Sequence, residues 1–158
     1  VSVVMRRLVA FIAALVLAVE AVGVVIVNVV LGTVVENQDM SLAGTDSGVM
    51  SKGTWVLGGV SGLFLLLCAA FLILTGTRDR APGRVARTVL ICCAVVHGVL
   101  GALTVGLIGW AAFAWMMVVL GLIVLSLVAY GPAGAGPAAG RKPGPEPDPE
   151  QPAAPAPA

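Results

Sequence analysis

The chain has 158 residues, of which 59% are hydrophobic and only 11% charged. An ordinary soluble domain has nearer a quarter of its residues charged, so this balance, with a mean hydropathy of +1.05, excludes that class and points to an all-α, polytopic membrane protein. A net charge of +1 gives no basic field for nucleic acid and no acidic surface for cations.

In chain order, residues 1–7 form a short N-terminal entry that ends in Arg6 and Arg7. The opening Val1 reads as a literally translated GTG codon, with Met5 as an alternative start, in a composition rich in Ala, Val, Gly, Arg and Pro. The first expected span is 8–31, 24 residues or about 36 Å of helix against a hydrocarbon layer of about 30 Å. It continues ten residues past the cleavable-looking "VEA" at 19–21, more than a signal peptide needs, so it is expected to remain as a span. Residues 32–54 are polar and mildly acidic, too short for a domain, and read as a solvated connection. A second span follows at 55–75, then a basic loop at 76–87 containing "GTRDRAPGRVAR".

Residues 88–130 carry no Asp, Glu, Lys or Arg. As one helix they would reach about 65 Å, so they are expected to fold back as spans 88–106 and 111–130 around a turn at 107–110. The stretch "VGLIGW" offers Gly106 and Gly109 for that turn. From 131 onward the tail is mostly Gly, Pro and Ala and is expected to be disordered, because it cannot bury enough apolar surface to offset chain entropy. The expected architecture is a four-transmembrane-helix bundle with a Pro/Ala-rich tail.

Eight of the nine basic residues fall on one side of this threading: Arg6, Arg7, Arg78, Arg80, Arg84 and Arg87, with Arg141 and Lys142 in the tail. The positive-inside rule then makes both termini and the 76–87 loop cytoplasmic and 32–54 external. Trp55 and Trp110 fall at the outer interface and Tyr130 at the inner one, where aromatic belts form.

Small residues mark the expected packing faces. These are Gly58 and Gly62 on the second span, the ladder Ala10, Ala14 and Ala18 on the first, and Gly101 on the third. Counted at helical spacing from His97, the third span shows a stripe of Cys93, Ala94, Gly101 and Thr104, expected to face the bundle interior.

A glutamate inside a span costs at least about 2.5 kcal/mol, and Glu20 sits at the centre of "ALVLAVEAVGVVIVNVV". It lies about 18 Å in from Leu8, while His97 lies about 15 Å in from Arg87 on the same side. These two strongly ionisable groups occupy one level, and the simplest reading is that they meet and titrate as a coupled pair. The alternative is a protonated Glu20 bonded to a backbone carbonyl or a Thr. Asn28, two turns further on, extends the polar positions outward.

Cys68, Cys92 and Cys93 all lie in apolar runs with no Cys-x-x-Cys, and read as apolar fillers. One His cannot give bis-histidine haem ligation, and Cys93, His97 and Glu20 make a thin metal site. No metal, cofactor or enzymatic activity is expected.

Two resemblances bear on function. The local "VEAVG", with Glu20 and Gly23 in Glu-x-x-Gly spacing, resembles the first helix of the small multidrug resistance transporters, which implies a Glu20 that binds drug and protons alternately. That likeness covers about one turn, and the chain shows no counterpart of the family's aromatic drug-binding set. The stretches "RDRAPGR", "AVVHGVLGA" and "MMVVLGLIVLSLVAYG" resemble small integral membrane proteins of actinobacteria, a group without an assigned activity, which implies architecture alone. The expected function is therefore structural or accessory, with the lipid bilayer, other membrane proteins or a second copy of the chain as partners and no nucleic acid. Proton-coupled transport through Glu20 is the alternative.

Overall fold

The computed structural model describes residues 2–38, 44 and 46–131, and the expectation of a disordered tail falls, apart from Gly131, outside them. Four helices make up the described chain: α1 (Val3–Asn37), α2 (Ser47–Arg78), α3 (Arg84–Leu107) and α4 (Trp110–Ala129). All four are long and apolar enough to cross a membrane.

Each boundary has a local cause. At the start of α1 the Ser2 hydroxyl accepts from the Met5 amide at 3.3 Å. At the start of α2 the Asp46 carboxylate accepts from the Gly48 and Val49 amides at 2.9 and 3.3 Å, the preferred way to satisfy amides that have no partner in a first turn. α2 stops at Asp79, in the left-handed region at φ 46°, and Pro82 disfavours helical backbone at Ala81, ahead of it. The turn between α3 and α4 rests on one glycine. Gly106 stays helical, while Gly109 takes φ 114°, a conformation that a side chain would strain.

α1 and α2 are 35 and 32 residues long and continue beyond the apolar spans 8–31 and 55–75. Much of the 32–54 segment is thus helix. Loss of hydrophobicity marks where a lipid layer ends, and nothing in 32–37 or 47–54 breaks a helix there. Thr33, Asn37 and Thr54 donate to carbonyls one turn back in their own helices. The extensions also hold each other through Ser51, which donates to Glu36 at 3.4 Å, and just inside them the Trp55 indole donates to the Val29 carbonyl at 3.2 Å.

α1 packs most closely on α2, and α3 on α4; α1 also meets α4, while α2 and α3 are the least closely packed of the adjacent pairs. The helices therefore run α1–α2–α3–α4 around the bundle, with α1 and α3 on its diagonal. The α1–α2 seam is close because it is lined with small residues, as expected where lipid removes any hydrophobic drive for helix association. Gly58 lies against Asn28, and Gly62 against Val25 and the Ala21 carbonyl; Gly32 lies under Trp55. On the other pair Gly101 admits Met116 and Met117. The core at the centre joins Ala13, Ala14, Leu17, Leu72, Cys93 and Ile123 from all four helices. Ala10 and Ala14 are buried, whereas Ala18 is half-buried.

The α1–α2 seam supplies a clean test. Gly62→Ala puts a Cβ 2.6 Å from Val25 Cγ2, while Gly59→Ala points into open space. The first is expected to lower the unfolding free energy by about 1–3 kcal/mol, the usual cost of overpacking. The second is expected to change it by about 0.5 kcal/mol or less. Reversible unfolding of the purified protein in mixed micelles measures both.

Candidate functional site

Glu20 shares a face of α1 with Ala13, Leu17 and Val24, and this face turns toward the bundle axis. His97 occupies the corresponding position on α3 between Cys93 and Gly101. Glu20 Oε2 and His97 Nε2 are 3.0 Å apart, and the two side chains are only 9% and 4% exposed. The contact crosses the diagonal of the bundle, where α1 and α3 otherwise meet little.

The other face of the imidazole fixes the protons. His97 Nδ1 is 2.8 Å from the Cys93 carbonyl, and a carbonyl oxygen can only accept, so Nδ1 carries a hydrogen and donates. Nε2 then either accepts from a protonated Glu20 or, in the imidazolium, donates to the carboxylate. Both forms place one proton between Oε2 and Nε2, and both leave the pair with zero net charge. Loss of that proton leaves two acceptors facing each other and breaks the hydrogen bond, while a second proton leaves a net positive charge buried in the apolar layer. A carboxyl and an imidazole that are each expensive alone in an apolar layer thus form a neutral, mutually satisfied unit.

The neighbouring positions behave differently. Cys93 Sγ lies 3.6 Å from Nδ1, and Cys68 of α2 is its neighbour across the core; both thiols are free and buried, while Cys92 faces outward. The Asn28 amide donates to the Val24 carbonyl at 2.8 Å, within α1. Thr104 donates to the Gly101 carbonyl at 2.7 Å, within α3. Neither extends the pair into a polar path across helices. Among the described residues no group of three or more His, Cys, Asp or Glu could hold a metal ion.

One side of the pair faces a cleft of about 420 Å³ whose lining includes Ser61 and Phe64 of α2, Leu100 of α3 and Met116 of α4. Its walls are apolar except for Glu20, His97 and Ser61. Ser61 carried no signal in the sequence, because its place on the cleft wall follows only from the gap between α2 and α3.

The basic residues divide into two sets. Arg6 reaches both oxygens of Asp79 at 3.2 Å with its guanidinium 5.3 Å from the centre of the Tyr130 ring. Arg7 donates to the Thr77 carbonyl at 3.4 Å. These contacts tie the start of α1 to the end of α2 and, through buried Tyr130, to the end of α4. Asp79, the one acid in the basic loop, is a structural partner that sequence reading passed over; its isolation among arginines was the available signal. Arg78, Arg80, Arg84 and Arg87 are exposed and have no carboxylate partner among the described residues.

Comparison with family models, with curated proteins and with solved structures finds no match.

Because Thr104 bonds only within its own helix, Thr104→Val is expected to change the unfolding free energy by no more than about 0.6 kcal/mol, the average for a membrane hydrogen bond. A clearly larger loss in mixed-micelle unfolding would assign Thr104 an interhelical bond.

Proposed function

We propose that the protein is a small integral membrane protein with a structural or accessory role, acting by binding other membrane components rather than by catalysis. The observation that carries this reading is the closed Glu20–His97 bond: the two buried ionisable groups are each other's partners and fix the register of α1 and α3. No catalytic constellation needs to be invoked to explain either residue. The arginine-rich end of the bundle is read as cytoplasmic, with both termini on that side, because Arg6, Arg7, Arg78, Arg80, Arg84 and Arg87 collect there and Arg141 and Lys142 follow α4 in the sequence.

A second reading, proton-coupled transport of a small molecule, draws support from the cleft beside Glu20 and His97 and from the single proton the pair holds. Glu20→Gln separates the two. Its amide can donate to Nε2 of the Nδ1-protonated imidazole, so the fold is retained while the titratable proton is lost. In proteoliposomes with an internal pH indicator, wild-type protein and Glu20→Gln are expected to give the same proton leak under an imposed gradient. Both are expected to co-purify with the same membrane components after mild solubilisation. A substrate-dependent proton flux present in wild type and absent in Glu20→Gln would overturn the accessory reading.

A further inference from the structure

A second cavity, of about 480 Å³, opens between the last turns of α2 and the first turn of α3. Arg78, Arg80 and Arg84 stand on its lining, and Phe71 and Leu74 form its deeper wall. Phe71 precedes Arg78 by seven residues, so the cavity runs about 10 Å from a charged rim into the apolar layer. Three further features give it a use. Asp79, the only acid in the loop, is held by Arg6 and does not line the cavity, so nothing nearby neutralises the rim. The first turn of α3 has no side-chain cap, so its amides and the positive end of the helix dipole add to the arginines. α2 and α3 are the least closely packed neighbours in the bundle, so the cleft is open toward lipid.

We propose that this cavity is a binding site for one anionic phospholipid, its phosphodiester held by Arg78, Arg80 and Arg84 and one acyl chain lying along Phe71 and Leu74 between α2 and α3. The charge of the rim selects an anionic headgroup, and the apolar depth behind it selects a lipid over a soluble phosphate ester. Basic recesses between spans at the cytoplasmic side are suited to such headgroups. The inference rests on the accessory reading only for the membrane placement of the loop; it stands even if Glu20 proves to move protons.

The test uses the full chain in detergent, titrated with fluorescent phosphatidylglycerol and, separately, fluorescent phosphatidylcholine. Preferential binding of phosphatidylglycerol at one site per chain is expected. Arg84→Gln is expected to weaken it roughly fivefold, and Arg78→Gln/Arg80→Gln/Arg84→Gln together on the order of a hundredfold. Arg87→Gln, outside the cavity, is expected to leave affinity unchanged. Ala81→Trp keeps every charge and changes an exposed lining residue; by filling the space it is expected to abolish the preference, which keeps the test valid if the triple variant misfolds. Equal losses for Arg84→Gln and Arg87→Gln would mean diffuse surface attraction and overturn the site. So would an unaffected Ala81→Trp, or equal affinity for the two lipids. Displacement of the lipid by free glycerol phosphate at matching concentration would assign the site to a soluble phosphate ester instead. None of these outcomes alters the stability contributed by Glu20 and His97, so failure here is distinguishable from failure of the accessory reading.

Discussion

The bundle depends on one proton shared between Glu20 and His97. A carboxyl group in the middle of an apolar helix is costly in either protonation state unless it is hydrogen-bonded. The Cys93 carbonyl commits Nδ1 to donate, which leaves Nε2 as the only imidazole nitrogen facing Glu20. The pair is neutral as a whole, and its remaining polar surface faces the cleft. Its position on the diagonal gives it structural leverage, because α1 and α3 have little other contact. Sliding either helix by one turn, about 5.4 Å, would carry the two groups out of hydrogen-bond range.

Around this bond the remaining packing is of two kinds. The α1–α2 and α3–α4 pairs associate through close backbone approach at Gly58, Gly62 and Gly101, where dispersion contacts replace the hydrophobic drive that lipid removes. The arginine end is held by polar contacts instead, with Arg6 joining Asp79 and Tyr130. The α2–α3 boundary has neither device, and both clefts lie along it. The opening that gives the bundle its candidate ligand surfaces is thus a consequence of where the small residues are placed.

The helical class and the number of helices were legible because long uncharged runs have few physical alternatives in an apolar medium. The common depth of Glu20 and His97 was legible as well, since a helix converts residue count into distance. Helix ends were not: the hydropathy boundary at Leu31 marks a change of surroundings, and α1 continues to Asn37 because its polar side chains bond to their own backbone. The turn before α4 was narrowed to two glycines, but only Gly109 has a positive φ, a choice set by tertiary geometry. The division of the arginines into a structural pair and an unpartnered set depends on Asp79, whose direction no local pattern reveals. The one-proton character of the Glu20–His97 bond needed the Cys93 carbonyl distance, which lies beyond any sequence pattern.

A double-mutant cycle addresses the central bond most directly: wild type, Glu20→Leu, His97→Leu and the double variant, unfolded reversibly in mixed micelles at neutral pH. Leucine at either position removes the hydrogen bond without supplying a new one, and each single variant leaves a buried polar group unpartnered. A coupling energy of about 1 kcal/mol or more is expected, above the average of about 0.6 kcal/mol for membrane hydrogen bonds, with the double variant recovering part of the loss. Strict additivity of the two single changes would contradict the shared proton as the feature that sets α1 against α3.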